Sequence, residues 1–317
     1  MLARVERIRS HGGPRVVVLG DSRIAEGFSA KSAAGSLAGS RAAFVNAAVP
    51  GSTLRCWSYF LEWMDPHALR GATVIIPLDD YADEDGAWSW QDRELDTRIL
   101  AARLSLVDLP GYALSFDSFA GGWNALFNGV LKGRPLREDI QALLRSPSER
   151  MAKAASVRAH GPEWSDNYAG NPGSLAGLEV NWQSRRIVFP SHVSARQRQA
   201  LALFFFYQTL PQTGRYRQYR LIWMRRIAAA AARQGARAVV IRVPASPVPL
   251  ARSLPFRDSA IMQLQKEGVL RVAPADLFAP LEQPQYFFDA LHMNQLGRNE
   301  FSSRLAAFLA QQPRLGD

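Results

Sequence analysis

Short apolar runs, each closed by a turn, occupy both ends of the chain, and segments with helical periodicity separate them. The first run, Val16-Val17-Val18-Leu19, is β-branched and ends at Gly20-Asp21-Ser22-Arg23. A run this short and continuously apolar predicts a strand buried on both faces, as in a parallel sheet. Phe28 to Leu37 predicts a helix of small residues, and Ala43 to Asn46 a second strand breaking into the Pro50-Gly51 loop. Ser52 or Thr53 is placed to cap a helix running to about Trp63. Gly71 to Leu78 predicts a third buried strand, which ends in the acidic loop Asp79 to Asp85. The same rhythm returns late in the chain. A helix over Arg215 to Gln234, closed by Gly235, leads to a strand over Ala238 to Val243. A helix near Arg257 to Glu267, a strand at Val269 to Val272, a loop from Tyr286 to Gly297 and an amphipathic helix over Asn299 to Ala310 follow. Strands alternating with helices predict an α/β fold: three α/β/α layers around a parallel five-stranded sheet.

Between the two ends the rhythm lapses. Residues 85–210 scatter Trp88, Trp90, Trp123, Trp164 and Trp182 among polar, glycine-containing stretches. This segment reads as a mainly helical and loop insertion, suited to binding a substrate or partner. The expected α/β domain is then 1–84 together with 211–317. The tryptophans are expected to form the insertion's own core.

Composition narrows the partners. With 47% hydrophobic residues the 317-residue chain is not disordered, and its length suits one large domain carrying an insertion. The 38 basic and 28 acidic residues leave a formal charge of +10, which favours anionic partners such as an acidic polysaccharide or a membrane face. Nucleic acid is not expected, because no zinc-finger, RNA-recognition or basic-zipper signature is present. The one cysteine, Cys56, excludes an intramolecular disulfide and lies in an aromatic setting that suits a buried structural thiol. No apolar run of about 18 residues is present, so no spanning helix is expected.

The candidate chemistry begins at Ser22. A serine just past a parallel strand sits at the carboxyl end of the sheet, where α/β folds place ligands. A helix starting there would aim free N–H groups at developing negative charge. Far along the chain, Asp289-Ala290-Leu291-His292 lies just before the last helix. An aspartate three residues ahead of a histidine on one loop fixes its tautomer, leaving the other ring nitrogen for a serine hydroxyl. A serine needs such a base to become a nucleophile. His11, His67, His160 and His192 have no comparable setting. The G-x-S-x-G elbow of α/β-hydrolases is absent, as are G-x-G-x-x-G and P-loop matches that would favour nucleotide binding.

In this order Gly20-Asp21-Ser22, Asn46…Gly51 and Asp289-Ala290-Leu291-His292 resemble the motif blocks of the SGNH (GDSL-like) hydrolase superfamily. The resemblance covers residues 15–80 and 215–310. It implies Ser22 as nucleophile, His292 as general base and acid, and Asp289 as the group orienting the imidazole. It also implies an oxyanion hole built from the backbone N–H groups of Ser22 and Gly51. Where these hydrolases usually carry an asparagine after the third strand, this chain has Asp79 and Asp80. An ionised carboxylate opposes an oxyanion, so the expectation is that Asp79 or Asp80 instead pairs with Arg23. The altered block and the large insertion look most like the branch of alginate O-acetylation and DltD-like proteins. That likeness implies an acylated carbohydrate or cell-surface polysaccharide as substrate and a membrane-bound O-acyltransferase as partner. It also implies a periplasmic or other extracytoplasmic site, with a native signal or anchor missing from this chain; a true start at Met1 implies the cytoplasm instead. The expected chemistry is acyl-serine formation on an O-acyl, most plausibly acetyl, group, with hydrolysis and transfer both open and no metal or cofactor required. The alternative is a catalytically weak relative that captures glycan or docks an acyltransferase.

Overall fold

The structure is a computed structural model that describes residues 1–37, 41–83, 94–160, 168–206, 215–249 and 256–312. Five parallel strands form the central sheet: β1 (Arg15–Val18), β2 (Ala43–Asn46), β3 (Thr73–Leu78), β6 (Arg237–Arg242) and β7 (Arg271–Val272). Their order is β2-β1-β3-β6-β7, so the connections reverse direction beside β1. That reversal opens a crevice at the carboxyl ends of β1 and β3, the place where doubly wound sheets bind ligands.

Alternation along the buried strands sorts the core into two layers. Val17, Val45, Val74, Ile76 and Val240 point to one face, which the helices Leu54–Trp63, Arg215–Arg233 and Ala260–Lys266 cover. Val16, Val18, Phe44, Ile75 and Ile241 point to the other, against the helices Ser22–Gly27, Ala30–Ser36 and Gln295–Gln311. The fold is therefore a three-layer α/β/α sandwich. Among the described residues, no helix is long and apolar enough to cross a membrane.

Local boundaries shift for identifiable reasons. The helix expected over Phe28 to Leu37 is Ala30–Ser36, starting later because Ser29 is extended and caps it through Ser32 N, and a separate short helix, Ser22–Gly27, precedes it. The last helix starts at Gln295, earlier than expected, since the Asn294 side chain accepts from Gly297 N at 3.0 Å. Among the described residues of 94–206 lie six helices, together with an antiparallel hairpin that the pattern did not reveal, β4 (Glu179–Asn181) with β5 (Arg186–Val188). Leu100, Leu104, Leu109 and Tyr112 join the first core layer, and Leu175, Leu178, Leu201 and Phe205 join the second. The segment thus shares the sheet's cores. Trp182 packs against the second layer, whereas Trp123 is exposed, contrary to the expectation that it is core. Trp88, Trp90 and Trp164 lie outside the described residues.

Candidate active site

Ser22 opens the helix that follows β1, and Asp21 caps it by accepting from Arg23 N at 2.9 Å. The turn into this helix is tight. A side chain at Gly20 would meet Ile24 at 2.5 Å, and Gly20 has φ +152°. As the first helical residue, Ser22 contributes one of the N–H groups that have no partner within the helix.

The serine's hydroxyl meets the distant loop. Ser22 Oγ lies 2.9 Å from His292 Nε2, and His292 Nδ1 lies 2.9 Å from Asp289 Oδ2. Asp289 also accepts from the backbone N–H of Leu291 and His292, at 2.8 and 2.7 Å, so the loop's own backbone fixes the carboxylate. Phe288 lies against the imidazole with nearly parallel rings at 5.8 Å. The loop is pinned at its base by Phe288 N donating to His292 O and Asn294 N donating to Tyr286 O. Leu175 N donates to Phe287 O and Gln295 N to Asn171 O, so residues 171–175 brace it from outside.

The electrostatics suit proton transfer. Burial lowers the His292 pKa, but the Asp289 hydrogen bond and charge, with Glu26 and Asp21 behind them, raise it above the ordinary 6.5. Burial raises that of Asp289, and the bonds from His292 and the loop N–H groups outweigh it, holding the carboxyl below its ordinary value. A carboxylate that stays ionised keeps the Nδ1 proton, leaving Nε2 to accept from Ser22.

Two buried side chains hold the serine's helix, and neither faces the reacting atoms. Asn46 Nδ2 donates to the carbonyls of Ile24, Ala25 and Phe28, and its Oδ1 accepts from Ala48 N at 3.1 Å. Asn46 is therefore a brace beneath the site, not one of its donors. Arg298, on the last helix, donates to Ala25 O and, at 2.6 Å, to Glu26 O. The sequence reading passed over Arg298; the available signal was a guanidinium on the apolar face of a helix whose neighbours Phe301, Ser302 and Leu305 are buried.

The loop after β2 reaches the same sheet edge. Val49 N donates to Gly20 O at 2.9 Å, and Ser52 Oγ donates to Gly20 O while accepting from Trp57 Nε1. Gly51 has φ +74°, a conformation that favours glycine, and its N–H enters no hydrogen bond among the described residues. Leu95 sits on Gly51, 2.7 Å from where a Cβ would be. The next residue, Asp96, accepts from Thr53 Oγ1 at 2.8 Å and from Arg55 at 3.1 Å. Arg55 and Asp96 are fully buried, and the Arg55 guanidinium lies 3.9 Å from the Phe116 ring centroid. The inserted segment is thus clamped to the loop bearing Gly51. Cys56, beside this pair, is buried, and burial pushes its thiol well above the ordinary pKa.

The loop after β3 carries the expected ion pair. Arg23 lies 2.9 Å from Asp21 Oδ2 and 3.5 Å from Asp79 Oδ2. Crowding by protein atoms pushes the Asp79 carboxyl up, but the Arg23 and Arg220 charges hold it below its ordinary range. Asp80 does not pair with Arg23. Its Oδ1 accepts from Ala82 N, and Arg220 donates to its backbone carbonyl at 2.9 Å. Two guanidinium groups, Arg23 and Arg220, therefore offset the Asp79 carboxylate.

Beyond the histidine loop a cavity of about 430 Å³ opens, lined by Ser174, Gln285, Asn294 and Asn299 among others. Hydroxyl and amide groups of this kind suit a polar, uncharged ligand. The chain matches no protein-family model and no curated protein sequence.

Proposed function

We propose that the protein is a serine esterase or O-acyltransferase of the SGNH type. The observation that carries this is the unbroken hydrogen-bonded line Asp289–His292–Ser22 at the carboxyl end of β1. Ser22 Oγ attacks the ester carbonyl while His292 Nε2 takes its proton. The N–H groups of Ser22 and Gly51 receive the developing oxyanion, each contributing about 3–4 kcal/mol. The protonated His292 then gives its proton to the departing alkoxide, leaving an acyl-serine and a free alcohol. Water or a sugar hydroxyl, deprotonated by the same imidazole, attacks the acyl-serine and restores Ser22. Hydrolysis and transfer differ only in that second nucleophile.

Acetylated carbohydrate is the substrate class this reading favours. The hydroxyl and amide groups of the cavity beside Asn294 support a polar sugar unit, and the excess of 38 basic over 28 acidic residues supports an anionic polymer. Within this reading a membrane-bound O-acyltransferase is the partner and the cell envelope the place of action. A second reading, a catalytically weak protein that captures glycan or docks an acyltransferase, draws on the Asp79–Arg23 pair at the place of the usual third donor. A fluorophosphonate probe and an acetyl ester separate the two. The wild type is expected to label and to turn over, and Ser22→Ala and His292→Ala to do neither. Wild-type turnover no faster than that of Ser22→Ala would sink the enzyme reading.

A further inference from the structure

The helix Phe119–Val130 turns most of its large apolar side chains outward, with Leu126 alone of them packed against the first core layer. An ordinary surface helix turns its large apolar side chains toward the core and its small or polar ones toward water. Here Ala125, Asn128 and Gly129 face inward. A side chain at Gly129 would collide with Leu109, and one at Gly122 with Ala113 O at 2.8 Å, so small residues let this helix close against Leu109–Ala113. Phe119, Trp123, Phe127 and Val130 recur at spacings of four, four and three residues and form a single stripe facing out. Phe119 is 89% exposed and Trp123 60%. Leu114 and Val107, before the helix, are also exposed, at 86% and 89%.

Charge identifies what this surface meets. The helix itself carries no ionisable residue, and Lys132, Arg134 and Arg137 follow it directly, all exposed. Arg134 lies over the Phe127 ring, 5.7 Å from its centroid. Exposed Asp117 precedes Phe119, while the acids that follow the helix, Glu138 and Asp139, are paired with Arg98, and Asp139 also with Arg150, so the edge after Val130 stays cationic. A convex apolar stripe with aromatic rings and a basic edge matches a bilayer surface, where acyl chains lie beneath anionic headgroups.

We propose that Phe119–Val130 is an interfacial helix that seats the protein on an anionic membrane, with Phe119, Trp123 and Phe127 entering the headgroup boundary and Arg134 and Arg137 meeting lipid phosphates. The proposal does not depend on the chemistry assigned to Ser22. It is tested by co-sedimentation of the full chain with vesicles of phosphatidylcholine alone and of equimolar phosphatidylcholine and phosphatidylglycerol. The wild type is expected to partition onto the anionic vesicles at least about tenfold better than onto the neutral ones, and to release as salt is raised. Phe119→Ser/Trp123→Ser/Phe127→Ser and, separately, Arg134→Gln/Arg137→Gln are each expected to lower partitioning by roughly tenfold or more, with unchanged Tm and unchanged turnover of a soluble ester. The proposal is overturned by wild-type sedimentation no greater than without lipid, or by equal sedimentation of the aromatic variant. Self-association in solution that the aromatic variant abolishes, with no vesicle binding, also overturns it and makes the stripe a protein contact.

Discussion

The two tightest regions of polar contact in this molecule are built on opposite plans. Around Ser22 the polar side chains bond mostly to backbone: Asn46 and Arg298 to the serine's helix, Asp289 to its own loop. At the join with the inserted segment, Arg55 and Asp96 bond to each other in full burial. Backbone anchors hold a site even when one side chain is lost, because the remaining bonds keep the same main-chain path. Loss of one partner of a buried ion pair strands a charge, even though Arg55 also donates to Ser115 O at 3.0 Å. The first region is therefore expected to lose chemistry without losing structure, and the second to lose structure first.

The largest effect on this contrast belongs to Asp289→Asn. Without the carboxylate the Nδ1 proton is no longer specified, and turnover is expected to fall on the order of 10²- to 10⁴-fold. The pH profile shifts as well. His292 acts as a base only when neutral, and its raised pKa places the acid limb of kcat/KM above the ordinary 6.5. Burial persists in the variant while the raising partner is gone, so that limb is expected to move to lower pH. An acid limb that stays in place, measured on the residual activity, would show that Asp289 does not set the His292 proton affinity. Linkage adds two stability terms with opposite pH dependence. The stabilisation from the raised His292 pKa is complete below pH 6.5 and fades as pH rises through the folded value. That from the lowered Asp289 pKa is present above 3.8 and fades as pH falls through its folded value.

Next comes the clamp. Asp96→Asn leaves the Arg55 guanidinium buried without its counter-charge, which is expected to destabilise the protein by about 3–5 kcal/mol. Denaturant unfolding measures this directly. Because Leu95 and Thr53 flank Gly51 through the same contacts, kcat at a temperature where the variant is still folded is expected to fall while KM changes less. Full stability in Asp96→Asn would contradict the contrast drawn above. Asn46→Ala is expected to cost less, about 1–3 kcal/mol, since Arg298 still holds Ala25 and Glu26.

How much of this was legible before the fold was known follows the same division. Strands β1, β3 and β6 stood out because β-branched residues filled both faces, as at Val16–Val18 and Thr73–Leu78. The approach of Ser22 and the Asp289–His292 loop was legible from order alone, since a parallel α/β chain brings the ends of its strands to one edge. The pairing of Arg23 with an acidic residue was legible from charge, although which of Asp79 and Asp80 takes part required coordinates. The hairpin of β4 and β5 was not, because three-residue strands with Glu179, Asn181 and Arg186 carry too little alternation. Nor was the clamp, since Arg55 and Asp96 lie forty-one residues apart with no periodicity joining them. Asn46 matched a motif block yet serves the backbone beneath the site, because position in a block does not specify which way a side chain points.

The smallest expected effect belongs to Trp123, set against a second tryptophan, Trp57, that the sequence alone does not distinguish from it. Trp57 is 4% exposed, joins the first core layer and donates to Ser52, which in turn holds Gly20. Trp57→Ala is expected to cost about 3–5 kcal/mol, the sum of a cavity and a lost bond. Trp123 has the same side chain in a helix of similar length, but it faces out from small inward neighbours. Trp123→Ser removes little packing and strands no polar atom, so its effect is expected to lie within about 0.5 kcal/mol. Thermal unfolding of the two variants side by side settles which description of the inserted helix is right. Should Trp123→Ser unfold as readily as Trp57→Ala, the ring is part of a core in solution and the outward stripe does not exist. Should it match the wild type in stability, the Trp123 ring contributes nothing measurable to folding, which leaves contact with something outside the chain as its physical reason.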